Sequence, residues 1–171
     1  MARIAALSAV LLLALLSGCG FQLRGDLPLP EAMERTYLLG SGNSALHYEL
    51  EDRIRLAGGQ LVTNRDEASG TLQIHSQRFD RRNRGVDARG RTNSYEYRQQ
   101  LVFSLYDQTG KTIADREQIN LYREQRFNPD QVLAMGEERD MLQEEMRRQA
   151  IDQMLRRLQA LARQHADAQT D

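Results

Sequence analysis

Between Thr71 and Leu121 the apolar residues fall mostly on every second position, and beyond Asn128 they fall on every third or fourth. A period of two marks a strand with one packed face; a period near 3.6 marks a helix with one apolar stripe. A chain carrying both must put helix against sheet. Leu72 and Ile74 open the alternation, which fades into Arg81-Arg82-Asn83-Arg84-Gly85. It resumes after Gly90 at Tyr95, Tyr97, Leu101, Phe103 and Leu105, with Gln99 filling one place. Asp107-Gln108-Thr109-Gly110 reads as a turn, and Ile113, Ile119 and Leu121 mark a third strand. Three strands joined by short turns read as an antiparallel meander. Gln73, His75, Arg98, Gln100, Arg116 and Gln118 occupy its other face, so one side packs and the other meets water.

Upstream, residues 36–39 form a short apolar run ended by Gly40, hence a buried strand. Leu46, Leu50, Ile54 and Ala57 recur at helical spacing between a cap at Asn43 or Ser44 and a stop at Gly58-Gly59. Leu61-Val62 is a second short strand, and strand, helix, strand in that order predicts a right-handed βαβ crossover. Downstream, Asn128 as N-cap and Pro129 at the first helical position start a helix. Met141, Leu142, Met146, Ile151, Met154, Leu155, Leu158 and Leu161 form its stripe. Running to about Arg163, it would be ~50 Å long at 1.5 Å per residue. The expected fold is an α/β two-layer sandwich, a mixed sheet of four to five strands with two helices on one face. It spans residues 36–165, with a tether before it at 19–35 and a disordered tail after it at 166–171. The uncovered sheet face is an interface candidate.

The start of the chain belongs to no such element. Arg3 precedes an uncharged run from Ile4 to Leu16, which ends Leu16-Ser17-Gly18-Cys19. A charged start, a short apolar stretch and small residues at a boundary describe a secretory signal peptide. The run is shorter than the ~20 apolar residues of a spanning helix. Leu-Ser-Gly-Cys resembles the bacterial lipobox, in which the cysteine thiol is diacylated, the chain is cut before it and the new amine is acylated. Cys19, the single cysteine of the 171 residues, is therefore the expected lipidation site and the first residue of the mature chain. Several acyl chains anchor stably where one does not. Gly20 after it, by resemblance to sorting rules, favours the outer membrane over the inner.

Chemistry is sparse in what remains. The three histidines (His47, His75 and His165) fall on three separate elements, and no nucleophile elbow, phosphate loop or zinc spacing occurs. The Glu144–Arg148 pair reads as an i,i+4 helix support. Nothing here makes a case for an enzyme or a cofactor. Removal of residues 1–18 takes away Arg3 alone, leaving 22 basic against 24 acidic side chains. One segment departs from that balance. Residues 78–98 hold seven arginines against Asp80, Asp87 and Glu96. Arg81, Arg82, Arg84, Arg89 and Arg91 flank the turn between two long strands. Arginine forks onto phosphate where lysine acts as a point charge. Two readings fit this tip, a solvated hairpin or a site for a multiply anionic ligand. An exported chain with no nucleic-acid motif points the second toward anionic lipid rather than nucleic acid.

Cys19-Gly20-Phe21-Gln22-Leu23-Arg24 resembles the mature N-terminus of the LptE family of outer-membrane lipoproteins. The C-terminal third, from Tyr122-Arg123 through Phe127-Asn128-Pro129, Asp140-Met141 and Leu155-Arg156-Arg157-Leu158, is similar to the same family. The resemblance implies a non-enzymatic protein that binds lipopolysaccharide. It also implies a place on the periplasmic side of the outer membrane and inside the lumen of the large LptD β-barrel, which the family protein plugs and helps to assemble. Family members contact lipopolysaccharide through basic residues of the hairpin, and Arg89 and Arg91 occupy the matching region. A family lysine just after the Asn-Pro helix start is Met135 here. The alternative is a structural lipoprotein of another envelope complex.

Overall fold

The computed structural model describes residues 29–40, 44–126 and 135–170. A 3-10 turn (Glu31–Met33) leads into β1 (Arg35–Leu39), α1 (Ser44–Leu56) and β2 (Gln60–Val62). A second 3-10 turn (Arg65–Glu67) precedes β3 (Gly70–Val86), β4 (Thr92–Asp107), β5 (Thr112–Arg126) and α2 (Met135–Thr170). The sheet order is β2-β1-β3-β4-β5. β1 lies parallel to β2 and β3, while β3, β4 and β5 run antiparallel. Both helices cover one face, giving the expected two-layer sandwich. The βαβ unit and the meander are both present.

The core forms where the two periods meet. Leu46, Leu50 and Ile54 of α1 and Met146, Ile151, Met154 and Leu158 of α2 are buried on Leu72, Tyr97, Leu101, Phe103 and Leu105 of the sheet. At about 25 cal/mol per Å² of apolar surface, this burial is the main favourable term in folding. Ion pairs join the helices at the rim of that core: Arg53 to Asp152 at 3.5 Å, and Arg147 to Glu49 at 3.8 Å.

Three features depart from the sequence reading. Residues 29–35, expected as tether, dock on the domain: Met33 is fully buried and Ala32 nearly so. The docking is tight enough that a Cβ on Gly70 would stand 2.4 Å from the Ala32 carbonyl oxygen. Secondly, β3 carries a bulge between Ile74 and Ser76. One extra residue reverses the alternation, so Gln77 and Phe79 join Leu72 and Ile74 on the packed face, and pairing continues to Val86. Finally, α2 runs to Thr170, so residues 166–170, expected as a frayed tail, are helical. The expected start at Asn128-Pro129, Cys19 and residue 43 lie outside the described residues.

Candidate functional site

β3 and β4 outrun the helices that cover them. Phe79 and Tyr97 stack in the packed layer, and beyond them the strands pair Arg81 with Tyr97, Arg82 with Glu96 and Asn83 with Tyr95. β5 pairs with β4 alongside this stretch, Gln125 opposite Tyr95 and Glu124 opposite Glu96, and Gln125 Nε2 donates to Glu138 of α2. The turn at its end contains residues 87–91.

The five arginines of the candidate site settle in three places. Arg81 lies on the packed face, its guanidinium carbon 4.5 Å from the centre of the Tyr95 ring, a cation–π distance. Arg82 and Arg84 flank Glu96 on the open side, and Arg84 Nη1 pairs with Glu96 Oε2 at 3.4 Å. Arg89 and Arg91 sit on the turn. Arg91 Nε donates to Asp87 Oδ2 at 2.9 Å, and the Arg89 and Arg91 backbone N–H groups donate to Asp87 Oδ1. The backbone N–H of Arg91, followed by its side chain and the Arg89 N–H, holds the Asp87 carboxyl below its usual value. Asp87 is thus an anion throughout the neutral range. Charge on the tip is partly compensated from within, and the guanidiniums of Arg82 and Arg89 have no partner among the described residues.

The open sheet face is a hydrogen-bonded array. Asn120 Oδ1 accepts from Gln118 Nε2 at 2.9 Å, Arg98 Nη2 at 3.2 Å and Gln100 Nε2 at 3.4 Å. Arg98 also lies over the Tyr122 ring at 5.5 Å. Sequence alternation put Arg98, Gln100 and Gln118 on one face but missed Asn120 as the acceptor that gathers them. His75, on the same side, bonds Ser104 through Nε2 at 2.8 Å. At the end of the domain opposite the tip, a cleft of about 550 Å³ is lined by Leu29, Ala32, Ile113, Gln159 and His165. No group of three metal-ligating side chains occurs among the described residues, and none of their helices is long and apolar enough to cross a membrane.

This arrangement of strands and helices is shared. Residues 34–158 match the family model LptE, described as lipopolysaccharide-assembly. The chain belongs to the LptE family. The solution structure of uncharacterized lipoprotein B from Nitrosomonas europaea superposes with a TM-score of 0.70 at 27% identity, covering 82% of this chain and 91% of that one. Rare lipoprotein B from Shewanella oneidensis gives 0.65 at 20% identity over 79% and 98% of the two chains. A minor lipoprotein from Acinetobacter baumannii gives 0.63 at 18% identity over 77% and 94%. A comparison with curated proteins gives no match. The family is one of lipopolysaccharide assembly. The matched range includes β3, the tip and β4.

Proposed function

We propose that this LptE-family protein is anchored in the outer membrane through acyl chains on Cys19, binds lipopolysaccharide at the hairpin tip and occupies the lumen of the LptD barrel. The observation that carries the ligand reading is the placement of Arg89 and Arg91 on a turn outside the packed layer. Lipopolysaccharide bears clustered phosphates, which guanidinium groups bind by two parallel charged hydrogen bonds. Leu29, the first described residue, lies beside the start of β3, and β3 then runs 17 residues to the tip, ~55 Å at about 3.3 Å per residue. A wide barrel leaves an aqueous lumen, and the hydrogen-bonded open face of the sheet suits a polar wall.

Labelled lipopolysaccharide titrated into wild type and into the R89E/R91E variant tests the ligand. Charged hydrogen bonds are worth about 1.5–3 kcal/mol each, so the variant should bind roughly ten- to several-hundredfold more weakly with unchanged circular dichroism. Copurification from outer membranes tests the partner. A large β-barrel in equal amount is expected with both proteins, and its loss with the variant would make the tip a protein contact instead.

A further inference from the structure

The two turns of the meander are built alike. At 87–91 and at 107–111 the aspartate N–H donates to the carbonyl four residues on, 2.7 Å to Arg91 and 2.9 Å to Lys111. The glycine N–H returns a bond to the aspartate carbonyl, 2.9 Å from Gly90 and 3.0 Å from Gly110. Those glycines supply φ values of 76° and 85°, which side chains resist. In each turn the carboxylate Oδ1 accepts two backbone N–H groups, from Arg89 and Arg91 in one and from Thr109 and Lys111 in the other.

The turns differ in one respect. Asp107 accepts the Thr109 hydroxyl as well, 2.7 Å away and on the same Oδ1, and no hydrogen bond from the Lys111 side chain reaches it among the described residues. Asp87 instead accepts Arg91 Nε through Oδ2. The second turn closes without an arginine at its fifth position, so the turn itself does not require the Asp87–Arg91 side-chain bond. That bond has another use.

We propose that Asp87 is a positioning residue for phosphate recognition. It grips Arg91 by Nε alone, fixing the plane of a guanidinium whose side chain is 56% exposed and leaving both Nη groups to fork onto a phosphate beside Arg89. The proposal rests on the reading of Arg89 and Arg91 as the lipopolysaccharide contact. Its physical basis is that an arginine already ordered loses less rotamer freedom on binding than a free one. The carboxylate also repels the phosphate, but across an exposed tip that repulsion is screened by water and salt. Positioning and repulsion therefore predict opposite signs for removal of the Asp87 charge.

Asp87→Asn separates them. The amide keeps Oδ1 for the two backbone N–H groups and places a donor where Oδ2 accepted Arg91, so the turn stays and the guanidinium is released. Arg91→Lys is the companion variant: it keeps the charge and every turn bond made by the backbone and removes Nε. Labelled lipopolysaccharide is titrated into the full chain as wild type, D87N, R91K and R89E/R91E. Both single variants should bind about two- to tenfold more weakly, the range set by immobilising one rotamer-rich side chain. The Arg91 Nε–H NMR signal, protected in wild type, should exchange quickly in D87N. Lipopolysaccharide stripped of its phosphates should bind wild type and D87N equally. D87N binding as tightly as wild type or tighter overturns the proposal, as does R91K at wild-type affinity. Undiminished binding by R89E/R91E would overturn the parent reading, and the proposal with it. Loss in the double variant with none in D87N or R91K overturns the positioning role alone.

Discussion

The rings of Phe79 and Tyr97 stack with centroids 5.6 Å apart and planes 17° from parallel, and this pair closes the packed layer along the β3–β4 hairpin. Tyr97 is fully buried. Outward of the pair β3 carries Arg81, Arg82 and Arg84, all three exposed. The packed layer and the exposed arginines are thereby separated along one pair of strands.

The first prediction follows from that separation. Tyr97→Ala empties a buried aromatic site and should cost about 3–5 kcal/mol. Arg89→Ala, on the exposed turn, should change stability by less than ~0.5 kcal/mol. Urea unfolding of the two variants measures both. Comparable losses would mean that the tip, too, is part of the cooperative core.

Gly70 gives a second test, at the other end of β3. A Cβ there would stand 2.4 Å from the carbonyl oxygen of Ala32 and 2.6 Å from that of Tyr106. Both neighbours are backbone, so neither can swing aside. Gly70→Ala should destabilise by about 1–3 kcal/mol, the usual cost of overpacking. It should also raise hydrogen exchange at residues 31–36, which rest on this glycine. Unchanged exchange there would mean that the 3-10 turn does not depend on the contact.

The order of strands and helices was legible because each element keeps one clean period. Leu46, Leu50 and Ile54 can only share a helix face, and Leu101, Phe103 and Leu105 only a strand face. Phe79 was not legible, since the bulge after Ile74 shifts it by one position and simple alternation puts it on the wet side. Met33 was hidden among prolines that read as tether, because the docking of this segment rests on close approaches of Ala32 to Gly70 and of Met33 to Gly59 that no local pattern reveals. The last turns of α2 carry alanine and polar residues without a stripe, so periodicity ended before the helix did. At the site, charge counting found the arginine cluster. It could not divide that cluster, because whether an arginine meets Tyr95, Glu96 or Asp87 is decided by register and turn geometry.

The two turn aspartates predict a pH dependence. The Asp87 carboxyl is lowered chiefly by the Arg91 N–H, and that of Asp107 by the Thr109 hydroxyl and then the Lys111 and Thr109 N–H groups. A carboxyl depressed on folding binds its proton more readily in the unfolded chain. Its contribution is thus complete above the ordinary value of 3.8 and fades as pH falls through the lower folded value. D107N should therefore lose less stability than wild type as the pH falls below the ordinary carboxylate range, and should keep a parallel profile above about pH 5, clear of that range. Urea midpoints across that range check it, and identical acid limbs would remove Asp107 from the account.

The last prediction concerns the anchor. Cys19 follows an uncharged run and the small residues Ser17 and Gly18, and nine residues separate it from the first described residue, Leu29. Acyl chains can attach only at this thiol and at the amine that cleavage before it would expose. Cys19→Ser should leave full-length precursor with no acyl mass, held by its apolar leader or lost from the outer-membrane fraction. The domain itself should fold as before, since every buried residue of the core lies beyond Ala32 or at it. Mass spectrometry of the wild-type N-terminus reads the modification directly, and thermal unfolding of a chain starting at residue 20 reads the fold. A wild-type Cys19 without acyl groups would sink the anchor.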